Sequence, residues 1–199
     1  HWNCTDTQLI LQYLSMSPTS LAAAYAHAAR EHPWVVNGGL GALAAGLGDQ
    51  ACQRFVEKKS ISSGRRTINI ALIRCFLAMP WLLFWFGVQQ KLSPGTSNLA
   101  VLQRVLLDLA IGTPMMILLV FLGSSILTGQ LFRDPSQLVR LFSQEFIPTY
   151  AKGAKFWPPV HFAFTYRAPV LWRPLISTIA GIYWNAVLSY GATREIKKK

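Results

Sequence analysis

The sequence predicts an all-α membrane protein with four transmembrane helices. Of its 199 residues, 52% are hydrophobic and only 14% are charged, whereas soluble domains carry about 25% charged residues. The mean hydropathy is +0.31. The net charge of +11 comes largely from basic side chains that stand between long apolar runs. This arrangement is typical of loops that flank membrane spans.

The first predicted element is a short amphipathic helix in the N-terminal segment, residues 1–33. Ser17 and Pro18 supply a helix start, a run of alanines follows, and Pro33 ends the helix. The segment is too short and too polar to cross a bilayer, which takes about 20 apolar residues. The remaining residues, 34–199, are predicted to form a single four-helix transmembrane domain.

The first predicted span, about residues 34–55, is rich in small residues at four-residue spacing. Such rows let helix backbones approach closely in lipid, and the candidate packing residues are Gly38, Gly41, Ala42, Ala45 and Gly46. Asp49 ends one row, so its carboxylate is expected to face another helix. Two G-x-G-x-x-A matches fall in this span, but the dinucleotide-binding motif needs a preceding strand. We therefore expect no cofactor here.

The second and third predicted spans each contain a proline and a candidate charged residue. The second span, about residues 67–91, holds Arg74 and is interrupted by its proline, Pro80. The third span, about residues 99–127, holds Asp108. Ionisable residues at membrane depth usually face protein or water and mark a site or a pair.

The C-terminal part is predicted to contain a surface helix, a shallow segment and the fourth span. Residues 129–157 combine basic side chains with apolar ones at helical spacing, as in helices that lie on a membrane surface. The following stretch is too long for one span. Its prolines are expected to divide it into a kinked, shallow segment over 157–173 and a span over 174–190. Further candidate polar residues at membrane depth are His161, Arg173 and Asn185.

Depth along antiparallel helices suggests a partner for Arg74. The loop between the first two spans is centred near residue 61 or 62, with Asp49 about twelve residues before that centre and Arg74 about twelve after it. The two side chains are therefore predicted to form an intramembrane ion pair. A count of the same kind about the turn near Gly95, between the second and third spans, places Asp108 level with Leu82. Two alternatives stay open: both charges line an aqueous path, or Arg74 extends to the membrane surface.

No catalytic residue and no metal site is expected. The three cysteines are widely spaced, and no acidic or cysteine cluster joins the histidines. The sequence contains no nucleophile elbow, zinc-protease motif or P-loop. Aromatic side chains lie within the apolar runs and not along a basic face, so no nucleic-acid partner is expected.

An ordered series of short motifs resembles the Mpv17/PMP22 family of four-span peroxisomal and mitochondrial membrane proteins. No single motif is specific, but the series extends from about residue 22 to residue 194. It comprises HPW at 32–34, GLGDQ at 46–50, GRRT at 64–67, PGT at 94–96, LLD at 106–108, WP at 157–158, WN at 184–185 and LS at 188–189. The resemblance implies an organelle membrane, with the mitochondrial inner membrane first and peroxisomal or plastid membranes as alternatives. It also implies a pore for small solutes or a membrane-stability factor.

The chain departs from the family pattern where a pore needs polar lining. Leu109 replaces a glutamine, and His161 and Phe164 replace two amides after the WP motif. Arg74 occupies a position that the family leaves small. These departures favour a non-catalytic accessory subunit embedded in a larger membrane assembly. Its expected partners are the lipid bilayer, subunits of that assembly and structural lipids, while a small-solute channel of the mitochondrial inner or peroxisomal membrane is the alternative.

Overall fold

The computed structural model describes residues 21–58 and 60–193, which form helices and short connections without a strand. The helices are α1 over Leu21–Glu31, α2 over residues 33–56, α3 over Gly64–Leu92, α4 over Asn98–Leu127, α5 over Gln130–Arg133, α6 over residues 135–165 and α7 over Arg173–Thr193. The predicted all-α fold is thereby confirmed. The helix start expected at Ser17 and Pro18, with the rest of residues 1–20, lies outside the described residues, as does the basic tail from residue 194.

Helices occupy all four predicted spans. α2, α3, α4 and α7 begin and end within three residues of the predicted boundaries. Two of the described helices, α3 with 29 residues and α4 with 30, are long and apolar enough to cross a membrane.

Tyr25 fastens the N-terminal helix α1 to the bundle. Its hydroxyl donates to Asn37 Oδ1 at 2.9 Å and also lies 3.2 Å from the second acceptor, Leu171 O. Its ring centroid lies 5.0 Å from that of Trp172. Burial raises the pKa of Tyr25 to about 12. The hydroxyl therefore remains a neutral donor at physiological pH.

α6 differs from its prediction. Instead of a surface helix followed by a shallow segment, residues 135–165 form one continuous helix, about 46 Å long at ~1.5 Å per residue. Its side chains at Thr149 and Trp157 are buried in the bundle. A Cβ added at Gly153 would lie 2.9 Å from the Trp184 ring of α7 and 3.1 Å from Thr113 Cγ2 of α4. The predicted division near residue 157 is therefore wrong, because the helix runs through it and packs its apolar face against α4 and α7. That residues 129–157 lie at the membrane surface stays a prediction.

Prolines in α3 and α4 each follow a wide, π-helical turn. Proline has no N–H, and its ring clashes with the carbonyl four residues earlier. Accordingly, Arg74–Ala78 before Pro80 and Asp108–Gly112 before Pro114 form turns in which an N–H bonds the carbonyl five residues back. Each helix therefore continues through its proline.

Each of these two prolines leaves one carbonyl without its helical donor, and an aromatic side chain of another helix supplies one. Trp34 Nε1–H donates to Cys75 O at 3.1 Å, and Tyr150 O–H donates to Leu109 O at 3.1 Å. These acceptors are the carbonyls five residues before the prolines. The two side chains thus complete the backbone hydrogen bonding that a helix needs inside a membrane.

Tyr150→Phe is expected to lower the free energy of unfolding by about 1–3 kcal/mol, because the Leu109 carbonyl loses its donor. Thermal unfolding in detergent measures this loss. Pro114→Ala returns an N–H to the turn, so the same substitution should cost less in that background. Tyr183→Phe is the control, since the Tyr183 side chain is 62% exposed. If Tyr150→Phe costs the same free energy of unfolding in the wild-type chain and in the Pro114→Ala variant, this account is contradicted.

Candidate functional site

A fully buried carboxylate, Asp49, joins three helices at the end of α2. Arg66 Nε lies 2.8 Å from Asp49 Oδ1. Thr67 Oγ1 and Gln53 Nε2 donate to Oδ2 at 2.6 Å and 2.8 Å, and Ser189 Oγ of α7 donates to Oδ1. These five residues are termed the Asp49 network. Both carboxylate oxygens are satisfied, which is the condition under which a buried charge is tolerated.

The first turn of α3 holds the donors to Asp49 in place. Ser63 is the N-cap, and its Oγ accepts from Arg66 N at 3.4 Å. The Ser63 N–H in turn donates to Gln53 Oε1 at 2.6 Å, and Arg66 Nη1 lies 2.7 Å from Glu57 Oε1. The connection between α2 and α3 is therefore fastened from both helices.

The predicted ion pair between Asp49 and Arg74 is replaced by the pair of Asp49 with Arg66. Arg74 lies deeper in α3, and its Nη1 is 3.6 Å from Met116 Sδ. Because Asp49 faces Arg66, these two helices are level about a centre near residue 57 or 58, and not about residue 61 or 62. When the centre of a hairpin shifts by about four residues, the residue of α3 that stands level with Asp49 changes by about eight, or roughly two helical turns.

A second buried carboxylate, Asp108, begins the π-helical turn of α4. Trp85 Nε1–H donates to Asp108 Oδ1 at 3.0 Å, and Thr113 Oγ1 donates to Oδ2 at 3.0 Å. His161 Nε2 of α6 lies 3.3 Å from Oδ2, and its ring stacks on Trp157 with centroids 4.9 Å apart. The wide turn brings Asp108 and Thr113, five residues apart, to the same side of the helix.

A small internal cavity, termed the chamber, lies beside Asp108. Its volume is about 30 Å³, and its lining includes Arg74, Trp81, Asp108, His161 and Ser177. Four polar atoms of these side chains lack a hydrogen-bond partner among the described residues: Arg74 Nε, Trp81 Nε1, His161 Nδ1 and Ser177 Oγ. A cavity of this size accommodates about one or two water molecules, and its walls are largely apolar around these polar atoms.

Two buried arginines close the end of the bundle opposite to Asp49. Arg104 donates through Nε to Ser93 O at 2.9 Å and through Nη1 to Tyr166 O at 3.1 Å. Arg173 Nε donates to Ala168 O at 3.1 Å, and its guanidinium lies 5.8 Å from the centroid of the Tyr166 ring. Arg104, Tyr166 and Arg173 are termed the Arg104 network. Positive charge near the ends of α3 and α6 compensates their terminal carbonyls.

A buried row along α7 connects these three sites. Its members stand four residues apart, which places them along one gently inclined ridge of the helix, and they are Arg173, Ser177, Gly181, Asn185 and Ser189. Arg173 belongs to the Arg104 network, Ser177 lines the chamber and Ser189 belongs to the Asp49 network. Asn185 Nδ2 has no hydrogen-bond partner among the residues described. A line of buried polar side chains, interrupted by Gly181, therefore runs along α7 beside the apolar core.

The small residues selected for helix packing lie along α2 against its neighbours. A Cβ added at Gly38 would lie 3.1 Å from Cys75 Sγ, and one added at Gly41 would lie 2.7 Å from Met79 Cε. The remaining selected residues are Ala45, which is fully buried, and Ala42 and Gly46, which are half-buried.

Several features of the site were not predicted from the sequence, including Arg104 and Tyr166 of the Arg104 network. The sequence argument did not select Gly48, where a Cβ would lie 2.6 Å from Ile182 O of α7. It also assigned no role to Arg66 or Ser189, because only folding brings the ends of α2, α3 and α7 together. A further feature, the four-residue spacing of polar and small residues on α7, could have been detected from the sequence.

Comparison with known proteins identifies relatives of the chain. The model of the Mpv17 / PMP22 family matches residues 130–189. The mitochondrial inner membrane protein Mpv17 of Bos taurus is 30% identical over 183 residues, which cover 88% of this chain and 99% of that protein. The Homo sapiens protein of that name is 28% identical with the same coverage. The Mpv17-like protein of Bos taurus is 27% identical over 84% of this chain and 82% of its own length. No solved structure matches the chain.

The similarity extends over nearly the whole of the bovine Mpv17 protein, and the family match covers α5, α6 and most of α7. Both the family and the organelle membrane predicted from the sequence are thereby confirmed. The chain belongs to the Mpv17/PMP22 family and is a membrane protein of the mitochondrial inner membrane.

Proposed function

We propose that the chain is a small-solute channel of the mitochondrial inner membrane, here in a closed state. The observation that supports this proposal is the buried row of α7, which runs from the Arg104 network through the chamber to the Asp49 network. Polar groups at membrane depth are costly, and they characteristically line paths for ions or solutes.

In this proposal α2 and α7 cross the bilayer beside α3 and α4, giving four spans. The outward faces of α2 and α7 support this arrangement because they are apolar. Leu43 and Leu47 of α2 are 68% and 61% exposed, and Ile179 of α7 is 63% exposed. Apolar side chains outside and polar ones inside suit a protein surrounded by lipid. Lipid is itself apolar, so apolar side chains are not driven into the interior there.

The position of Arg74 removes one argument against a channel. The sequence favours an accessory subunit partly because Arg74 is expected to neutralise Asp49. Arg66 takes that role at the end of the bundle, whereas Arg74 lines the chamber. His161 and Ser177 also supply polar lining, although the chain lacks the amides of the family pattern.

The two networks are the proposed closures of the path. Asp49 ties α2, α3 and α7 together at one end, and Arg104 ties the connections after α3 and α6 together at the other. The chamber of about 30 Å³ between them is too small for a solute much larger than water. Conduction therefore requires both networks to rearrange and the chamber to widen.

Purified chain in liposomes is expected to give voltage-dependent conductance or release of small entrapped solutes. Asn185→Leu should reduce the flux about tenfold, because the loss of one hydrogen bond of about 1.4 kcal/mol raises the barrier by that factor. Ile179→Leu, on the exposed face of α7, is the matched control and should conduct normally.

An accessory role in a larger membrane assembly stays a prediction, and a second measurement addresses it. Folded chain that passes neither ions nor small solutes, together with co-migration with a larger complex on native gels of mitochondrial membranes, would contradict the channel and favour that role.

A further inference from the structure

We propose that the chamber binds one small anion, for which Arg74 provides the opposite charge. This site does not require that the chain conducts solutes. The proposal rests on two features of the chamber lining: a buried cation without a carboxylate partner, and hydrogen-bond donors without acceptors.

Arg74 is a buried cation that lacks a carboxylate partner. Its side chain is 7% exposed, and its Nη1 contacts only the weak acceptor Met116 Sδ. Its Nε has no hydrogen-bond partner, and within the part of the chain that the structure describes no Asp or Glu forms an ion pair with it. A buried guanidinium without a counter-charge is strongly unfavourable.

Asp108 lines the same chamber but is occupied by other donors. Its Oδ1 accepts from Trp85, and its Oδ2 accepts from Thr113 and faces His161 Nε2. The carboxylate is therefore already compensated by three side chains. Asp108 therefore does not serve as the counter-charge of Arg74.

The other unpartnered atoms of the chamber favour a ligand that accepts hydrogen bonds. Trp81 Nε1 and Arg74 Nε can only donate, and the Ser177 hydroxyl can donate. Arg74 and Trp81 both belong to α3, and both line the chamber. Ser177 approaches from α7, and the fourth unpartnered atom, His161 Nδ1, belongs to α6.

The size and walls of the chamber limit the anion to a few atoms. Its volume of about 30 Å³ suits a halide or a formate-sized carboxylate. The walls include the indole rings of Trp85, Trp157 and Trp184, whose ring edges carry partial positive charge. The stem of Arg74 packs against Gly41 of α2, where an added Cβ would lie 3.4 Å from Arg74 Cγ.

Thermal unfolding of the full chain in detergent tests the site. At constant ionic strength, replacing sodium gluconate by sodium chloride or sodium formate is expected to raise the unfolding temperature by about 5 °C or more near a hundredfold excess over Kd. A response to chloride alone indicates a halide site, and a response to formate indicates a small carboxylate. Arg74→Met should abolish the shift. Arg54→Met, which replaces an exposed arginine of α2, should preserve it.

Two milder variants keep the test decisive if Arg74→Met does not fold. Ser177→Ala and Trp81→Phe each remove one donor and should reduce the shift, and crystals soaked in bromide should show anomalous scattering between these residues and Arg74. The proposal is overturned if neither anion shifts the unfolding of the wild-type chain, or if Arg74→Met keeps the full shift. The chamber then holds water alone.

Discussion

Asp49→Asn is expected to lower the free energy of unfolding by about 3–5 kcal/mol, the usual cost of removing one partner of a buried ion pair. Asp49 accepts through both oxygens from donors on α2, α3 and α7. Asparagine accepts through one atom and points its own N–H groups at the remaining donors. Arg66 would then keep only Glu57 as a counter-charge.

A double-mutant cycle determines which arginine is the partner of Asp49. Arg66→Gln combined with Asp49→Asn should show a coupling energy of about 0.5–3 kcal/mol, as residues in contact do. Arg74→Leu combined with Asp49→Asn should be additive to within about 0.5 kcal/mol. Unfolding followed by tryptophan fluorescence in detergent gives the energies, and size-exclusion chromatography gives the folded fraction. Coupling to Arg74 and not to Arg66 would contradict the structure and restore the pairing predicted from depth.

The two helical hairpins show how far residue counting predicts depth. The connection between α3 and α4 is short and turns at Gly95, whose φ is 86°. Counting from it places Asp108 level with Leu82, and the structure places it against Trp85, about one turn away. The connection between α2 and α3 is longer, and nothing in its sequence marks where the chain reverses. The predicted partner of Asp49 was therefore displaced by about two turns.

Helix α6 shows a different limit of the sequence. Its amphipathic pattern suits a membrane surface and a groove between helices equally well, since both offer one apolar and one polar side. Gly153 is the local signal for the groove, because α4 and α7 approach it closely. The helix boundaries were predictable from apolar length and capping residues. The neighbours of each helix depend on how the helices pack together, which the periodic pattern does not specify.

Gly48→Ala is expected to force α2 away from α7. A Cβ at Gly48 would lie 2.6 Å from Ile182 O, 2.8 Å from Asn185 Cβ and 3.0 Å from Ala186 N. Two of these atoms belong to the backbone of α7 and cannot rotate away. The helices must therefore separate, and overpacking of this kind costs about 1–3 kcal/mol or more.

Gly39→Ala is the matched control for this substitution. Gly39 lies in the same helix, is exposed, and has open space where its Cβ would stand. Alanine gains up to about 1 kcal/mol over glycine inside a helix, and this gain is common to both variants. The difference in free energy of unfolding between Gly48→Ala and Gly39→Ala therefore isolates the packing cost between α2 and α7.

Gly48→Ala should also affect the polar row of α7. Asn185 touches the Gly48 position, and Ser189, one turn further along α7, donates to Asp49. Separating the two helices moves both side chains relative to α2, so solute flux through the Gly48→Ala variant should change together with its stability, whereas Gly39→Ala should leave the flux unchanged. If both variants unfold at the same temperature, α2 and α7 do not meet at Gly48, and the row on α7 is not enclosed as a solute path requires.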